Sequence, residues 1–231
     1  MNRDIKKFHE CGYVIVTDFL NESEYDELLE ECHNLAHIGM ETPDQYWVMN
    51  YPNNPCKLDC AMSLSGKLFR LGRNETLVKY ARELIGPNIE TYISKFFPMI
   101  PRKGFSVDWH QDNYYIKADP NKMISCDVFV QGATRENGCL RIIPNSQHEL
   151  ISHELDSHGV FEWISDKHWK EVIDIELDEP FAILFHPQLI HSCYRNTSDR
   201  FRYSVAWEYI TTDNHPPTYN GHHSQDRLKI T

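Results

Sequence analysis

The chain has 231 residues, 41% hydrophobic and 25% charged, with a formal net charge of −11 and seven cysteines. That length suits one large domain whose core needs no disulfide framework, and the acidic balance argues against nucleic acid or an anionic membrane as a partner. No apolar stretch reaches the roughly 20 residues of a membrane span, no N-terminal run resembles a signal peptide, and the cysteines are odd in number and scattered, which together read as a reduced, cytoplasmic protein.

Ile5 to Cys11 reads as a short helix and Gly12 to Leu20 as a strand. Asn21-Glu-Ser-Glu24 has the pattern of a capping box and opens a helix to about His37. Residues 38–73 read as irregular, and a second helix, Glu75 to Ile85, stops at Gly86-Pro87. From Asn88 the signals change to strands: Ile89–Pro98, Phe105–Asp112, Ser125–Gln131, Cys139–Ile143, Val172–Leu177, Phe181–Phe185 and Phe201–Thr211. Asn137-Gly138 is a hairpin signal between two of them. Many short strands separated by turn residues predict a mainly β sandwich or squashed barrel with flanking helices. Asp213 to Thr231 contains Pro216-Pro217 and few apolar residues, and reads as a mobile tail or a flap over a pocket mouth.

The residues with the most chemistry are His110, Asp112, His191 and Arg202. With 13 His and 34 acidic residues a His-x-acid pair arises by chance, so His110-Gln111-Asp112 gains its weight from context. Residues 105–112 alternate apolar and polar, as a half-buried strand does. On a strand, residues i and i+2 share a side, so His110 and Asp112 converge while Phe105, Val107 and Trp109 face away. His191 follows the apolar run from Phe181 to Ile190, and Arg202 and Ser204 share one face of the last strand. Two His and one carboxylate can hold a metal on one side and leave the other open, the facial arrangement of non-haem Fe(II) oxygenases. The Arg and Ser beyond them suit one carboxylate of a co-substrate.

Three ordered segments resemble the phytanoyl-CoA dioxygenase family of Fe(II)/2-oxoglutarate oxygenases over roughly residues 8–211. They are Trp109-His-Gln-Asp112, the Glu136-Asn-Gly-Cys-Leu segment running through Pro144-Asn-Ser-Gln-His148, and His191 through Arg202-Tyr-Ser204. Asn145 and Pro180 stand where that family usually or often has Gly, and Asn tolerates the same left-handed turn. The resemblance implies a double-stranded β-helix, a jelly-roll barrel of cupin type, in a single oxygenase domain over 1–231. Residues 1–87 would form a mainly helical part packed on the barrel, 88–211 the barrel, and 212–231 the tail or flap. It also implies Fe(II) held by His110, Asp112 and His191, and 2-oxoglutarate gripped at its far carboxylate by Arg202 and Ser204. A small organic substrate and O2 would be the partners, with hydroxylation and release of succinate and CO2. Asp112 argues for oxygenation, since related halogenases have Gly or Ala there. Asn113, Tyr114 and Lys95 are the positional candidates for touching substrate. Substrate identity and oligomeric state are not encoded in these motifs.

Two readings of other classes stay open: a non-catalytic metal- or ligand-binding module on the same scaffold, and a cupin-type metal hydrolase or isomerase. Neither needs a second carboxylate anchor at Arg202 and Ser204. Arg200 competes with Arg202 from the start of the same strand. His186 reads as packed or solvent-facing rather than ligating, and His148 as a structural hydrogen-bonder. His33, His37, Cys56 and Cys60 would make a zinc site of reversed ligand order. Trp169 reads as a core or lid residue and His222-His223 as a solvated tail.

Overall fold

A computed structural model of the protein describes residues 2–155, 162–164, 171–217 and 226–230. Trp169 and His222-His223 lie outside the described residues. The chain opens with α1 (Asn2–Cys11), β1 (Tyr13–Val16) and α2 (Glu22–Glu41). The Asn21–Glu24 capping box forms reciprocally, side chain to backbone in both directions. The stretch read as irregular instead holds a hairpin, β2 (Trp47–Tyr51) and β3 (Asn54–Asp59), and two short helices, α3 (Ala61–Leu64) and α4 (Gly66–Gly72). Its strands escape detection because Pro52, Asn53 and Pro55 interrupt the alternation and two register shifts break the pairing. α5 (Glu75–Ile85) then ends at Gly86, whose φ of 103° needs the freedom of glycine.

The barrel follows: β4 (Ile89–Met99), β5 (Val107–His110), α6 (Asp112–Ile116), β6 (Met123–Phe129), β7 (Leu140–Ile142), β8 (Glu154–Leu155), β9 (Glu162–Trp163), β10 (Ile173–Ile175), β11 (Phe181–Phe185), β12 (His191–Cys193) and β13 (Arg202–Thr211). A last strand, β14 (Arg227–Lys229), comes from the segment read as tail or flap and pairs antiparallel with β4. The large sheet runs β1-β11-β6-β13-β4-β3-β2 and the small one β10-β7-β12-β5. These antiparallel sheets form the jelly roll expected from the motifs. β1, β2 and β3 lie in the large sheet, so the N-terminal part contributes strands as well as helices.

Alternation sorts the side chains. On β11, Phe181, Ile183 and Phe185 point inward to meet Leu140, Ile142 and Ile175 of the small sheet. Ala182 and Leu184 point outward with Val128, Val205 and Trp207, onto Leu28, Cys32 and Leu77 of the helices. Asn137-Gly138 is a turn, as expected, but not a hairpin: β6 lies in the large sheet and β7 in the small one. The chain crosses the barrel there, Gly138 at φ 98° and Asn137 Oδ1 accepting from Thr134 N at 2.8 Å. Asn145 takes the left-handed conformation expected of it, at φ 63°.

Candidate active site

β5 and β12 are neighbours, and His110 stands directly opposite His191. The pairing then slips. Cys193 faces Val107, so Asp108 and Trp109 together oppose Ser192 alone. This bulge corrects the alternation read from sequence: Val107 and Phe105 line the same cavity as His110, and only Trp109 turns away. Trp109 packs with Ile143, Ile164 and Ile190, and the Arg141 guanidinium lies 4.6 Å over its ring. The strand also stops earlier than expected. Asp112 begins α6, but Gln111 keeps an extended backbone (φ −127°, ψ 125°), so His110 and Asp112 still share a side.

Asp112 Oδ1 lies 3.6 Å from His110 Nε2 and 3.7 Å from His191 Nε2. Among the described residues these three form the only group of His, Cys and acidic side chains close enough to hold one ion. His33, His37, Cys56 and Cys60 do not come together as ligands; His33 and His37 bond each other, and His33 Nδ1 meets the Tyr203 hydroxyl at 2.8 Å. In the triad both Nδ1 atoms face backbone carbonyls, His110 that of Asp108 at 2.8 Å and His191 that of Leu189 at 2.9 Å. A carbonyl only accepts, so each Nδ1 carries the proton and each Nε2 presents a lone pair. Ser125 Oγ donates to Asp112 Oδ2 at 2.7 Å and leaves Oδ1 for the histidines. Burial disfavours the Asp112 carboxylate, but His191, His110 and Lys95 outweigh it and hold its pKa well below the usual range. Burial, then His110, lowers His191 to about 4, which keeps the imidazole neutral. An ionised carboxylate and two neutral imidazoles with converging lone pairs suit a divalent metal of the iron type.

The cavity behind the triad is small, about 100 Å³. Arg202 and Ser204 lie on its wall, as expected. Arg202 is 3% exposed, donates to Ser204 Oγ at 2.5 Å, and lies 5.0 Å over the Phe129 ring. Its Nε has no partner among the described residues. A buried guanidinium with an unanswered donor is costly and suits an anionic ligand in the cavity. Arg200 is exposed, precedes β13, and lines a separate open groove of about 950 Å³ near α2. That groove is larger, but the metal-ligating chemistry sits in the smaller cavity.

Lys95 also lines the cavity. Burial works against its charge, but Glu208, Asp112, Asp59 and Asp127 prevail and raise its pKa. Asn113 does not reach the wall: its amide closes the turn after α6 on the backbone of Ala118, at 2.9 and 3.1 Å. Tyr114 stacks on His153, ring centres 3.8 Å apart, and is likewise off the wall. His186 is partly buried, and its Nδ1 accepts from Gln188 N at 3.1 Å. His148 bonds Asn145 Oδ1 at 3.0 Å, the structural role expected of it.

Several residues of the candidate site went unread in the sequence. Asp127 and Glu208 line the cavity beside Lys95. Burial, then Asp112, raises Asp127 to about 7 and pushes Glu208 well above the carboxylate range. Each is an acid at an inward position of a mostly buried strand, which was the available signal. Gln111 looked like a spacer but is fully buried: it donates to the carbonyls of Glu149 (2.7 Å) and Gln188 (2.6 Å) and accepts from Ile151 N (2.9 Å). It fixes the joint between the two metal-ligand candidates.

Comparison with known proteins agrees with this geometry. The human protein "Phytanoyl-CoA dioxygenase, peroxisomal" is 26% identical over 160 residues, covering 64% of this chain and 47% of its own length. A "Probable alpha-ketoglutarate-dependent hypophosphite dioxygenase" from Stutzerimonas stutzeri is 22% identical over 226 residues, 91% of this chain and 79% of the relative. The chain spans about half the length of the phytanoyl-CoA dioxygenases first among the curated relatives it matches. Among solved structures, EctD from S. alaskensis with 2-oxoglutarate and 5-hydroxyectoine superimposes with a TM-score of 0.79 at 19% identity, covering 100% of this chain and 83% of that one. The profile of the family "Phytanoyl-CoA dioxygenase (PhyH)" matches residues 8–204, a span holding the triad, the cavity arginine and nearly all of the barrel, and the chain therefore belongs to the phytanoyl-CoA dioxygenase (PhyH) family.

Proposed function

We propose that this chain, acting as a single oxygenase domain over residues 1–231, catalyses Fe(II)- and 2-oxoglutarate-dependent oxidation of a small organic molecule. C–H hydroxylation with release of succinate and CO2 is the reaction. One observation carries this reading: three convergent ligand atoms stand at a cavity whose wall also holds a buried arginine with an unanswered donor. A metal hydrolase or a passive binding module accounts for the triad but leaves that arginine without a use. The relatives support the same direction, since the names of a curated match and of several solved structures contain 2-oxoglutarate or its synonym.

His110, Asp112 and His191 would hold the metal, and Arg202 with Ser204 would take the far carboxylate of 2-oxoglutarate. Bound iron and 2-oxoglutarate supply the oxidative chemistry. The chain supplies position and exclusion. Ser125 orients Asp112, the Asp108 and Leu189 carbonyls fix both imidazole tautomers, and Gln111 locks the joint between His110 and Asp112. Phe105, Phe129 and Phe185 keep the cavity wall apolar between its polar groups, which limits water. Among the described residues Lys95 is the remaining cation on the wall and our candidate for contact with substrate; Asn113 and Tyr114 lie off it. Among the described residues no helix is long and apolar enough to cross a membrane. All seven cysteines are free thiols, the form expected in the reducing cytoplasmic setting we propose. The test is a screen of small molecules for Fe(II)- and 2-oxoglutarate-dependent succinate release, with the product identified by mass. Oxidised product from wild type and none from Asp112→Ala is the expected result. Metal-dependent hydrolysis without succinate would replace this reading with the hydrolase one.

A further inference from the structure

β4 changes phase halfway along its length. Tyr92 pairs with Glu208 and Lys95 pairs with Ala206, so Ile93 and Ser94 together face the single residue Trp207. Glu208 and Lys95 both line the cavity. Strict alternation would place only one of the two β4 partners, Tyr92 or Lys95, on the cavity side. The extra residue is what puts Lys95, Phe97 and Met99 on the wall, because a one-residue slip in a strand turns every later side chain to the other face. The bulge is costly. Ile93 holds φ 49°, a left-handed conformation that disfavours a β-branched residue.

What holds the bulge comes from far along the chain. β3 covers the outer edge of β4 at Lys95 and Phe96, and β14 covers it from Glu90 to Tyr92. Ile93 and Ser94 fall in the gap between them. Asp226 fills that gap. Its carbonyl accepts from Ile93 N at 3.1 Å and its Oδ1 from Ser94 N at 2.8 Å. Its Oδ2 accepts from the hydroxyls of Ser94 and of Ser63, the latter at 3.2 Å. Ser94 is fully buried, so without Asp226 its amide would lose its partner where water cannot replace it. Arg227 fastens the segment to Glu90 and to the carbonyls of Asn214 (2.9 Å) and Thr211 (3.0 Å). Asp226 lies outside the residues matched by the family profile.

We propose that Asp226 is a positioning residue of the active site: by bracing the Ile93–Ser94 bulge it aims Lys95 into the metal cavity. The use made of Lys95 rests on the oxygenase reading; the bracing does not.

Two measurements on the full chain test this. In metal-free protein, acylation of Lys95 is followed by mass spectrometry against exposed Lys103 as internal standard. Asp226→Ala should speed Lys95 labelling at least about tenfold as the bulge opens. Asp226→Asn, which keeps an acceptor for the Ser94 amide, should speed it less, and it serves if Asp226→Ala does not fold. In Fe(II)-loaded protein, Asp226→Ala and Lys95→Met should each lower 2-oxoglutarate-dependent succinate release. In the Lys95→Met background, Asp226→Ala should cause no further loss, although it lowers the melting temperature in both backgrounds. A purely structural Asp226 would give additive losses. Unchanged Lys95 labelling, or additive losses, overturns the proposal. If wild type makes no succinate the oxygenase reading fails, and the labelling arm still decides the role of Asp226.

Discussion

Replacing Arg202 by alanine separates an oxygenase from a mere metal binder. The guanidinium is 3% exposed, touches Ser204 Oγ at 2.5 Å, and has an Nε without a partner among the described residues. If it holds the far carboxylate of 2-oxoglutarate, truncation removes hydrogen bonds to a charged group. Such bonds contribute about 1.5–3 kcal/mol, so affinity for 2-oxoglutarate should fall roughly ten- to a hundredfold. Arg202→Lys should recover only part, because an ammonium lacks the planar fork. Stability without ligand should move little. The variant loses a stacking contact with Phe129 of about 1 kcal/mol, but it also removes a buried cation that desolvation penalises. Fe(II) affinity should be unchanged. Arg200→Ala is the control, since Arg200 is exposed and precedes β13. The assay is titration of the anaerobic Fe(II) protein with 2-oxoglutarate, followed by the visible charge-transfer band. Wild-type affinity in Arg202→Ala with a loss in Arg200→Ala would show the wrong arginine has been assigned.

Four further outcomes are expected. His110→Ala and Asp112→Ala should each abolish Fe-dependent 2-oxoglutarate turnover while circular dichroism shows the fold retained, since neither opens a core cavity. Gln111→Leu leaves two carbonyls and one amide without partners, so denaturant unfolding should show a loss of about 3 kcal/mol or more. Burial, then His148 and His9, lowers His186 to about 4, below its ordinary 6.5. The unfolded chain therefore binds the extra proton first, and stability should fall as pH drops from about 6.5 to about 4, by up to roughly 3 kcal/mol from this residue. His186→Asn, which keeps an acceptor for Gln188 N, should make that slope shallower in melts across the range, His191 supplying the remainder, and an unchanged slope would remove His186 as a source. In chloride buffer, wild type should yield only oxygenated product by mass, because Asp112 occupies the position where halogenases make room for halide; mainly chlorinated product would refute that use of Asp112.

Much of the site was legible because its residues sit on regular elements. The seven barrel strands read from the sequence all exist, and Phe181–Phe185 matches the observed bounds. Alternation placed His110 with Asp112 and Arg202 with Ser204, and the structure keeps both pairs together. What escaped was set by tertiary pairing. The bulge opposite Ser192 reversed the phase of Val107, and nothing local to residues 105–112 signals an extra residue. β14 is three residues long and becomes a strand by pairing with β4. Asn113 looked like a pocket residue from its place beside Asp112, yet its amide closes a turn. Gln111 and Ser125 act through partners remote in sequence, Gln188 and Asp112 among them.

If the triad and Arg202 serve an oxygenase reaction, 2-oxoglutarate and O2 are consumed together. The most direct measurement is the isotopic composition of succinate formed when the Fe(II) protein with 2-oxoglutarate, loaded without air, is exposed to isotopically heavy O2. Wild type should form succinate carrying one heavy oxygen atom, and Asp112→Ala should form none. Failure of Fe(II)-bound wild type to convert 2-oxoglutarate, or succinate free of the heavy isotope, would contradict the oxygenase reading.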